Sequence, residues 1–432
     1  MSKNIKPITL AKKLWPLNRS ITGKGNVQSL KILQKVCRNI KIKKYKSGKK
    51  VYDWTIPQVW NLREAYIKDP SGRKICDFKK NNLHVVGYSI SINKILNLKD
   101  LNKNLYSRKN FPKAIPYVTS YYKKNWGFCL SHDQRKKLKE GKYQAIIKSN
   151  FFKGYMHYGE CFIKGKYKKE VFLSTYICHP SMANNEISGP VIVSLLAEWL
   201  RKKKNLKYSY RIVFVPETIG SIAYIFHNKN NLKKNIIAGY NVTCVGDDRK
   251  WSLLPSKKAN SLSDRIAFRI LKKEKIKFKL YDWLSRGSDE RQYCSPGIDL
   301  PVCSVMRSKY ETYPEYHTSL DKIGTVISNK GLNNSLNLYK KIINEIEESV
   351  FPTTSNFCEP KLSKKNLYPA TKNSISKHLG RKILDFITFC DGETTLKEIS
   401  DKIKLNKTDS NYILNLLKKN HLIKIKNTPT KV

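Results

Sequence analysis

His179 is followed six residues later by Asn185, within the run Cys178-His179-Pro180-Ser181-Met182-Ala183-Asn184-Asn185-Glu186-Ile187-Ser188-Gly189. An imidazole nitrogen and short-chain oxygens are the donors that zinc takes in a roughly tetrahedral site. Further candidates recur along the chain: Glu217 after Pro216, Asp247 beside Asp248, and His317 within Glu315-Tyr316-His317-Thr318-Ser319-Leu320-Asp321. Either Asp247 or Asp248 could be the donor on this reading. A catalytic zinc keeps one position for water and lowers its pKa towards roughly 7. A nearby carboxylate then takes the proton. Each residue alone reads more simply as a hydrogen-bonded strand-end group; their convergence is what argues for a site.

That convergence depends on the elements that carry them. Glu170 to Ile177, Arg211 to Val215, Asn241 to Val245 and Leu300 to Met306 are apolar runs of strand length, and each candidate follows one of them. Helical patterns separate them at Pro190–Leu200, Ser221–Asn228, Leu262–Glu274 and Lys330–Val350. Alternating strands and helices predict a mainly parallel sheet flanked by helices. In such sheets ligands bind at the carboxyl ends of the strands. Residues 49–150 have a different character. Short β-type runs at Val51–Ile56, Ala65–Lys68, Arg73–Phe78, Leu83–Ile92 and Ile115–Tyr122 surround a hairpin turn at Asp69-Pro70-Ser71-Gly72. This stretch reads as a mostly-β module inserted into an α/β domain made of 1–48 and 151–350. Residues 351–372 read as a linker. The segment 373–432, with helices at Ile375–Phe389, Thr395–Ile403 and Ser410–Lys419 and a strand at His421–Ile425, reads as a winged helix.

Composition narrows the classes. The net charge of +51 suggests a polyanion partner, but 69 of the 84 basic residues are Lys, spread through every segment. Dedicated phosphate-binding surfaces favour Arg. Residues 351–432 carry 16 Lys/Arg and 7 Asp/Glu, the same charge density as the whole chain. The third helix, Ser410–Lys419, offers Asn411 and Asn415 but no Arg for base readout. Nucleic acid is therefore a disfavoured partner, and a docking or oligomer role is expected for this module. No run approaches the roughly 18 apolar residues of a membrane span, and Met1–Ser20 lacks a signal-peptide core. A cytoplasmic location without membrane insertion is expected. The ten cysteines show no Cys-x-x-Cys spacing, which speaks against a zinc ribbon.

Other residues near the candidate edge have polar roles to offer. Arg291 and Arg307 could hold a substrate carboxylate or phosphate through their planar forks. Tyr310, clustered with Tyr293, Tyr313 and Tyr316, could give a platform for a sugar or peptide side chain. Asp321 could orient His317. A Cys178–His179 thiol dyad is disfavoured, because neighbours on a strand point to opposite faces.

The set resembles the zinc aminopeptidase fold of leucyl aminopeptidases, glutamate carboxypeptidases and glutaminyl cyclases. Their pattern is a strand-end His, then Gly-Ala-Asp-Asp-Asn-Ala-Ser-Gly, Glu-Glu, a strand-end Asp and a late His-Thr-x-x-Asp. More closely, the chain resembles a bacterial family of aminopeptidase-like proteins, often described as polysaccharide biosynthesis proteins, with an inserted β module and a C-terminal winged helix. The strings that carry this are Trp15-Pro16-Leu17-Asn18-Arg19-Ser20, Asn82-Leu83-His84-Val85-Val86, the run 178–189, Pro216-Glu217-Thr218-Ile219-Gly220-Ser221, Gly287-Ser288-Asp289-Glu290-Arg291-Gln292-Tyr293 and Tyr316–Asp321.

The resemblance implies His179 and Asp247 on one metal and His317 on the other, with Glu217 as ligand or general base and Asp289 lining the substrate pocket. Two departures reduce the expected metal count. Asn185 stands where the peptidases have a bridging Asp, and a neutral amide bridges two ions poorly. Where they have two consecutive Glu, the pair here reads Glu217-Thr218, or Pro216-Glu217 if aligned one place over. The resulting expectation is a hydrolase of an amide, peptide-like or acylated amino-sugar bond, using one weakly held zinc, with Asn185 among its ligands. The alternatives are a metal-free, non-catalytic relic that binds a glycan or peptide, and a winged-helix regulator of nucleic acid.

Overall fold

The strand Tyr167–Tyr176 is buried almost continuously from Glu170 onward, as expected for a strand with neighbours on both edges and helices packed against it. In the computed structural model, which describes residues 5–365, 367 and 374–430, this strand lies within an eight-stranded sheet. The spatial order is Lys41–Lys46, Tyr155–Ile163, Tyr208–Val215, Tyr167–Tyr176, Ile236–Asn241, Val302–Met306, Trp251–Leu254 and Phe278–Leu280. The four strands from Tyr208–Val215 to Val302–Met306 are mutually parallel, and antiparallel pairings adjoin them on each side. The sheet is thus mixed around a parallel centre. Lys41–Lys46, Trp251–Leu254 and Phe278–Leu280 lie outside the expected strands; the first and last are lysine-bearing and largely exposed, and the second is buried but only four residues long.

After Tyr176 the chain passes through the helix Ser188–Lys202 to the neighbour on one side. It then returns through Ile219–Asn235 to the neighbour on the other. The carboxyl end of Tyr167–Tyr176 is therefore the topological switch point, where a crevice opens because the two crossovers part. Gly189 fixes how closely the Ser188–Lys202 helix approaches it. A Cβ at Gly189 would lie 2.3 Å from both Val242 O and Thr175 Oγ1.

The 49–150 region forms its own antiparallel sheet in the order Lys74–Ile75, Val59–Lys68, Lys142–Phe152, Ile92–Asn97. The hairpin turn is present: Asp69 Oδ1 accepts from Ser71 N and Arg73 N, and Gly72 has φ +82°. Three expected strands are not. Val51–Ile56 is a tight hairpin formed by the short strands Lys50–Val51 and Trp54–Thr55. Leu83–Ile92 begins in a 3-10 turn, Asn82–His84, whose start is capped by the Asn81 side chain. Ile115–Tyr122 pairs instead with the loop around His317, through Tyr117 N to His317 O (2.9 Å) and Ile115 N to Ser319 Oγ (3.0 Å). Pro116 has no N–H for a ladder.

The chain divides into two compact units, 1–342 and 343–432. In the second, helices Ser374–Thr388, Leu396–Lys402 and Lys407–Lys419 surround a small apolar core. The expected linker needs correction at its start. Phe351–Thr354 is a strand paired antiparallel with Ile423–Lys426, and Phe351 is buried. Positions 366 and 368–372 of that linker lie outside the described residues, as does position 373. The third helix begins at Lys407 because Asn406 caps it, accepting from Asp409 N.

Gly189→Ala should destabilise the protein by about 1–3 kcal/mol, since neither Val242 O nor the helix can yield freely. Urea unfolding followed by circular dichroism would show a lowered midpoint; an unchanged midpoint would contradict the close approach.

Candidate functional site

The run 178–189 leaves the central strand and closes into a single π-helical turn, Ala183–Ile187. Such turns recur at functional sites because they re-aim side chains. His179 is 5% exposed. Its Nδ1 lies 2.8 Å from Glu186 Oε2, and its Nε2 lies 3.5 Å from Glu217 Oε2. Burial disfavours the His179 cation, but Cys178 and Glu186 outweigh it and raise the ring's pKa well above the ordinary value. Glu217, about one-fifth exposed, has its pKa raised by burial against the opposing pull of His179 and a bond from Ser288. That bond runs from Ser288 Oγ to Glu217 Oε1 at 2.8 Å.

His317 comes from the far loop yet reaches the same place. Its ring centroid is 5.4 Å from that of His179, and the Tyr117 ring touches both, at 5.3 and 5.1 Å. It stacks on Tyr316 at 3.9 Å. Burial, then the positive field of His179 and Arg108, push His317 down to about 3, so the ring is neutral with a lone pair to give. Its Nε2 is buried without a hydrogen-bond partner. A positive φ of +54° at His317 is an uncommon backbone state for a residue with a Cβ.

The remaining expected ligands divide. Asn185 donates Nδ2 to Tyr176 Oη at 2.7 Å and keeps Oδ1 unpartnered. Asp247 is a correction. Its Oδ1 accepts from Arg249 N and Ser308 Oγ, and its Oδ2 from Asn184 Nδ2 and Ser308 N, all within 3.0 Å. Four donors fill the four lone-pair positions of a carboxylate, so nothing is left for a metal. Asp248 accepts from Ser328 Oγ instead. Asp321 is corrected as well. It does not orient His317; it accepts from Asn184 N, Asn185 N and Tyr313 Oη and so pins the π-turn.

Of the expected substrate residues, Arg291 alone lines the cavity of about 590 Å³ that has His179 and Glu217 in its wall. Asp289 is fully buried, accepting from Thr218 N and Ser221 Oγ, and burial followed by repulsion from Glu217 pushes it up to about 8. It shapes the Glu217–Thr218 corner rather than the pocket. Tyr310 is buried and donates to Glu290 Oε1 at 2.6 Å. Arg307 is buried with its guanidinium over the Trp251 ring at 4.2 Å. Neither residue lines the cavity over His179 and Glu217.

Several residues of the site were missed. Glu186 orients His179, and the buried Arg19 lies 3.7 Å from Glu186 Oε1 while donating to His179 O. Cys178 Sγ sits 3.4 Å from His179 Nδ1, contrary to the expectation of opposite faces; the strand has ended at Tyr176, so its alternation no longer applies. The thiol is nevertheless buried, with its pKa pushed up to about 11 mainly by burial, which does not suit a nucleophile. Cys178, His179 and Glu186 place ligand-type atoms within 4.8 Å of one another, but the Arg19 guanidinium already supplies positive charge there. The aromatic wall from 117–122 was hidden because its register depends on the His317 loop.

A family model described as a domain of unknown function, DUF4910, matches residues 8–349. The chain belongs to this family. A winged helix-turn-helix model matches residues 349–425. A Clostridium acetobutylicum protein, provisionally named a polysaccharide biosynthesis protein with aminopeptidase-like domain, is 37% identical over 96% of this chain and 95% of its own. A crystal structure from the same organism, provisionally called a peptidase, superposes with a TM-score of 0.83 at 36% identity, covering 97% of this chain and 96% of that one. The zinc aminopeptidase from Bacillus subtilis superposes with a TM-score of 0.56 at 14% identity, over 79% of this chain and 94% of that one. The fold is therefore aminopeptidase-like, with a C-terminal winged helix.

Asp247→Ala should lower stability by about 3 kcal/mol or more, because several buried donors lose their acceptor together. The loss should be the same with and without a chelator in thermal unfolding. A loss seen in untreated protein alone would restore Asp247 as a ligand.

Proposed function

We propose that the protein is a metal-dependent hydrolase acting on an amide or peptide-type bond. The observation that carries this is the orphaned Nε2 of His317, a neutral buried imidazole whose ring centroid lies 5.4 Å from that of His179. Leaving a buried acceptor unpaired costs about 1–3 kcal/mol, and such a group suits a ligand. The donor set we assign to one ion is His179, His317 and Asn185 through its unpartnered Oδ1, with Glu217 beside His179 kept as the general base. It does not fit two, since Asn185 and Thr218 lack the charge and Asp247 is saturated. A zinc ion bound there would supply Lewis acidity and an acidified water.

The chain's own residues do the rest. Glu217, held by Ser288 through one oxygen, is placed to take a proton with the other. Glu186 fixes which His179 nitrogen faces the cavity. The wall contributed by 117–122 restricts water. Zinc is supported by the fold shared with a zinc aminopeptidase. A setting in surface polysaccharide metabolism, with a peptide or acylated amino-sugar substrate, is supported by the relative's name. Among the described residues no helix is long and apolar enough to cross a membrane, and we place the activity in the cytoplasm.

A second reading, a non-catalytic glycan or peptide binder, is favoured by one observation. Arg19 puts a buried guanidinium beside Glu186, where a second metal's charge would otherwise be needed.

Purified protein should contain about one zinc per chain by elemental analysis. His179→Ala and His317→Ala should each remove it and lower amide hydrolysis by about a hundredfold or more. Metal-free protein with unchanged folding after zinc loading would decide for the binder.

A further inference from the structure

The cavity over His179 and Glu217 has a charge pattern opposite to that needed by a substrate with a free amino terminus. Its lining residues include two cations, Lys123 and Arg291, and a single carboxylate, Glu217. Glu217 is committed: one oxygen accepts from Ser288 and the other faces His179 Nε2. Among the described lining residues no carboxylate remains to hold an ammonium group. Arg291 is more specific than one more lysine in a lysine-rich chain. It sits in the short helix Glu290–Tyr293, and its Nη2 bonds Thr218 Oγ1 at 2.9 Å, which sets the guanidinium beside the Glu217 corner. Thr218 itself is held at φ +66°, an unusual state for a β-branched residue, so this corner is tightly determined. The opposite wall comes from the inserted module: Trp54, Tyr106, Tyr121 and Tyr122 line it, with Trp54 and Tyr122 edge to face at 6.1 Å. Aromatic surfaces there suit a flat or apolar group.

We infer that the cavity takes an N-acylated amino acid or a similarly blocked amide that bears a free carboxylate, with Arg291 as the carboxylate anchor and Lys123 in support. This rests on the hydrolase reading for the chemistry, though not for the binding. In the step, water adds to the acyl carbon and the C–N bond breaks. The departing nitrogen receives a proton, leaving a free acid and an amino acid. Planar, bidentate contact explains an Arg at this position rather than a Lys.

The test uses three probes on the full-length, zinc-loaded chain: N-acetyl-L-phenylalanine, its carboxyl amide, and L-phenylalanine amide. Acetate release, ammonia release and calorimetric binding are measured for each. The expected result is that N-acetyl-L-phenylalanine is preferred over its carboxyl amide by about tenfold to a hundredfold in binding and in kcat/KM. Arg291→Ala should bring that ratio to about one, Arg291→Lys should keep part of it, and Lys123→Ala should reduce it less. Preference for L-phenylalanine amide, or no discrimination between the acid and its amide, overturns the inference. Arg291-dependent binding of N-acetyl-L-phenylalanine without turnover upholds it and removes the hydrolase reading instead.

Discussion

The site depends on the amide of Asn184. Its Nδ2 donates to Asp247 Oδ2, and its Oδ1 accepts from Gly246 N and Asp247 N. Its backbone N–H meets Asp321, and its carbonyl accepts from Ser188 Oγ. One fully buried residue thus ties together the loops after two parallel strands and the loop that carries His317. A buried amide with one of these partners missing would be costly. The arrangement is therefore all-or-none, and it sets where His179 and His317 meet.

The same network explains the division among the carboxylates. In a site of limited volume a carboxylate either organises backbone or binds a ligand. Asp247, Asp321 and Glu290 organise: between them they accept from the backbone of Asn184, Asn185, Gly287, Ser288 and Ser308. Glu217 is left with an oxygen facing the cavity side of His179. Glu186 is offset by Arg19 and His179 rather than left as a free negative charge. Few oxygens are left uncommitted: Glu217 Oε2 faces His179 Nε2, and Lys123 and Arg291 line the same cavity.

The β-rich region 49–150 reaches the candidate site. Residues 115–117 pair with the 317–319 loop, and the Tyr117 ring lies against both histidines. The His317 loop is thus held both by residues 115–117 and, through Asp321, by the backbone of Asn184. The same region also brings the aromatic wall that distinguishes the cavity from a bare sheet edge.

Much of the architecture was legible in the sequence because burial leaves a linear trace. The strand after Glu170, the helices at 190–200 and 262–274, the hairpin turn at 69–72 and the three helices of the winged unit all follow from apolar periodicity and turn chemistry. His179 and Glu217 were legible as groups just after strands, His317 from the run Glu315–Asp321, and Asn185 as a departure from the peptidase pattern. The sequence determined which donors exist and how many charges the centre lacks. Their assignment was a tertiary matter. Whether Asp247 binds a metal or Ser308, whether Asp321 serves His317 or the π-turn, and whether Tyr310 faces a ligand or Glu290 depend on partners 8 to 137 residues away. Hydrogen-bond capacity is local to a residue, but its use is decided by what the fold buries beside it.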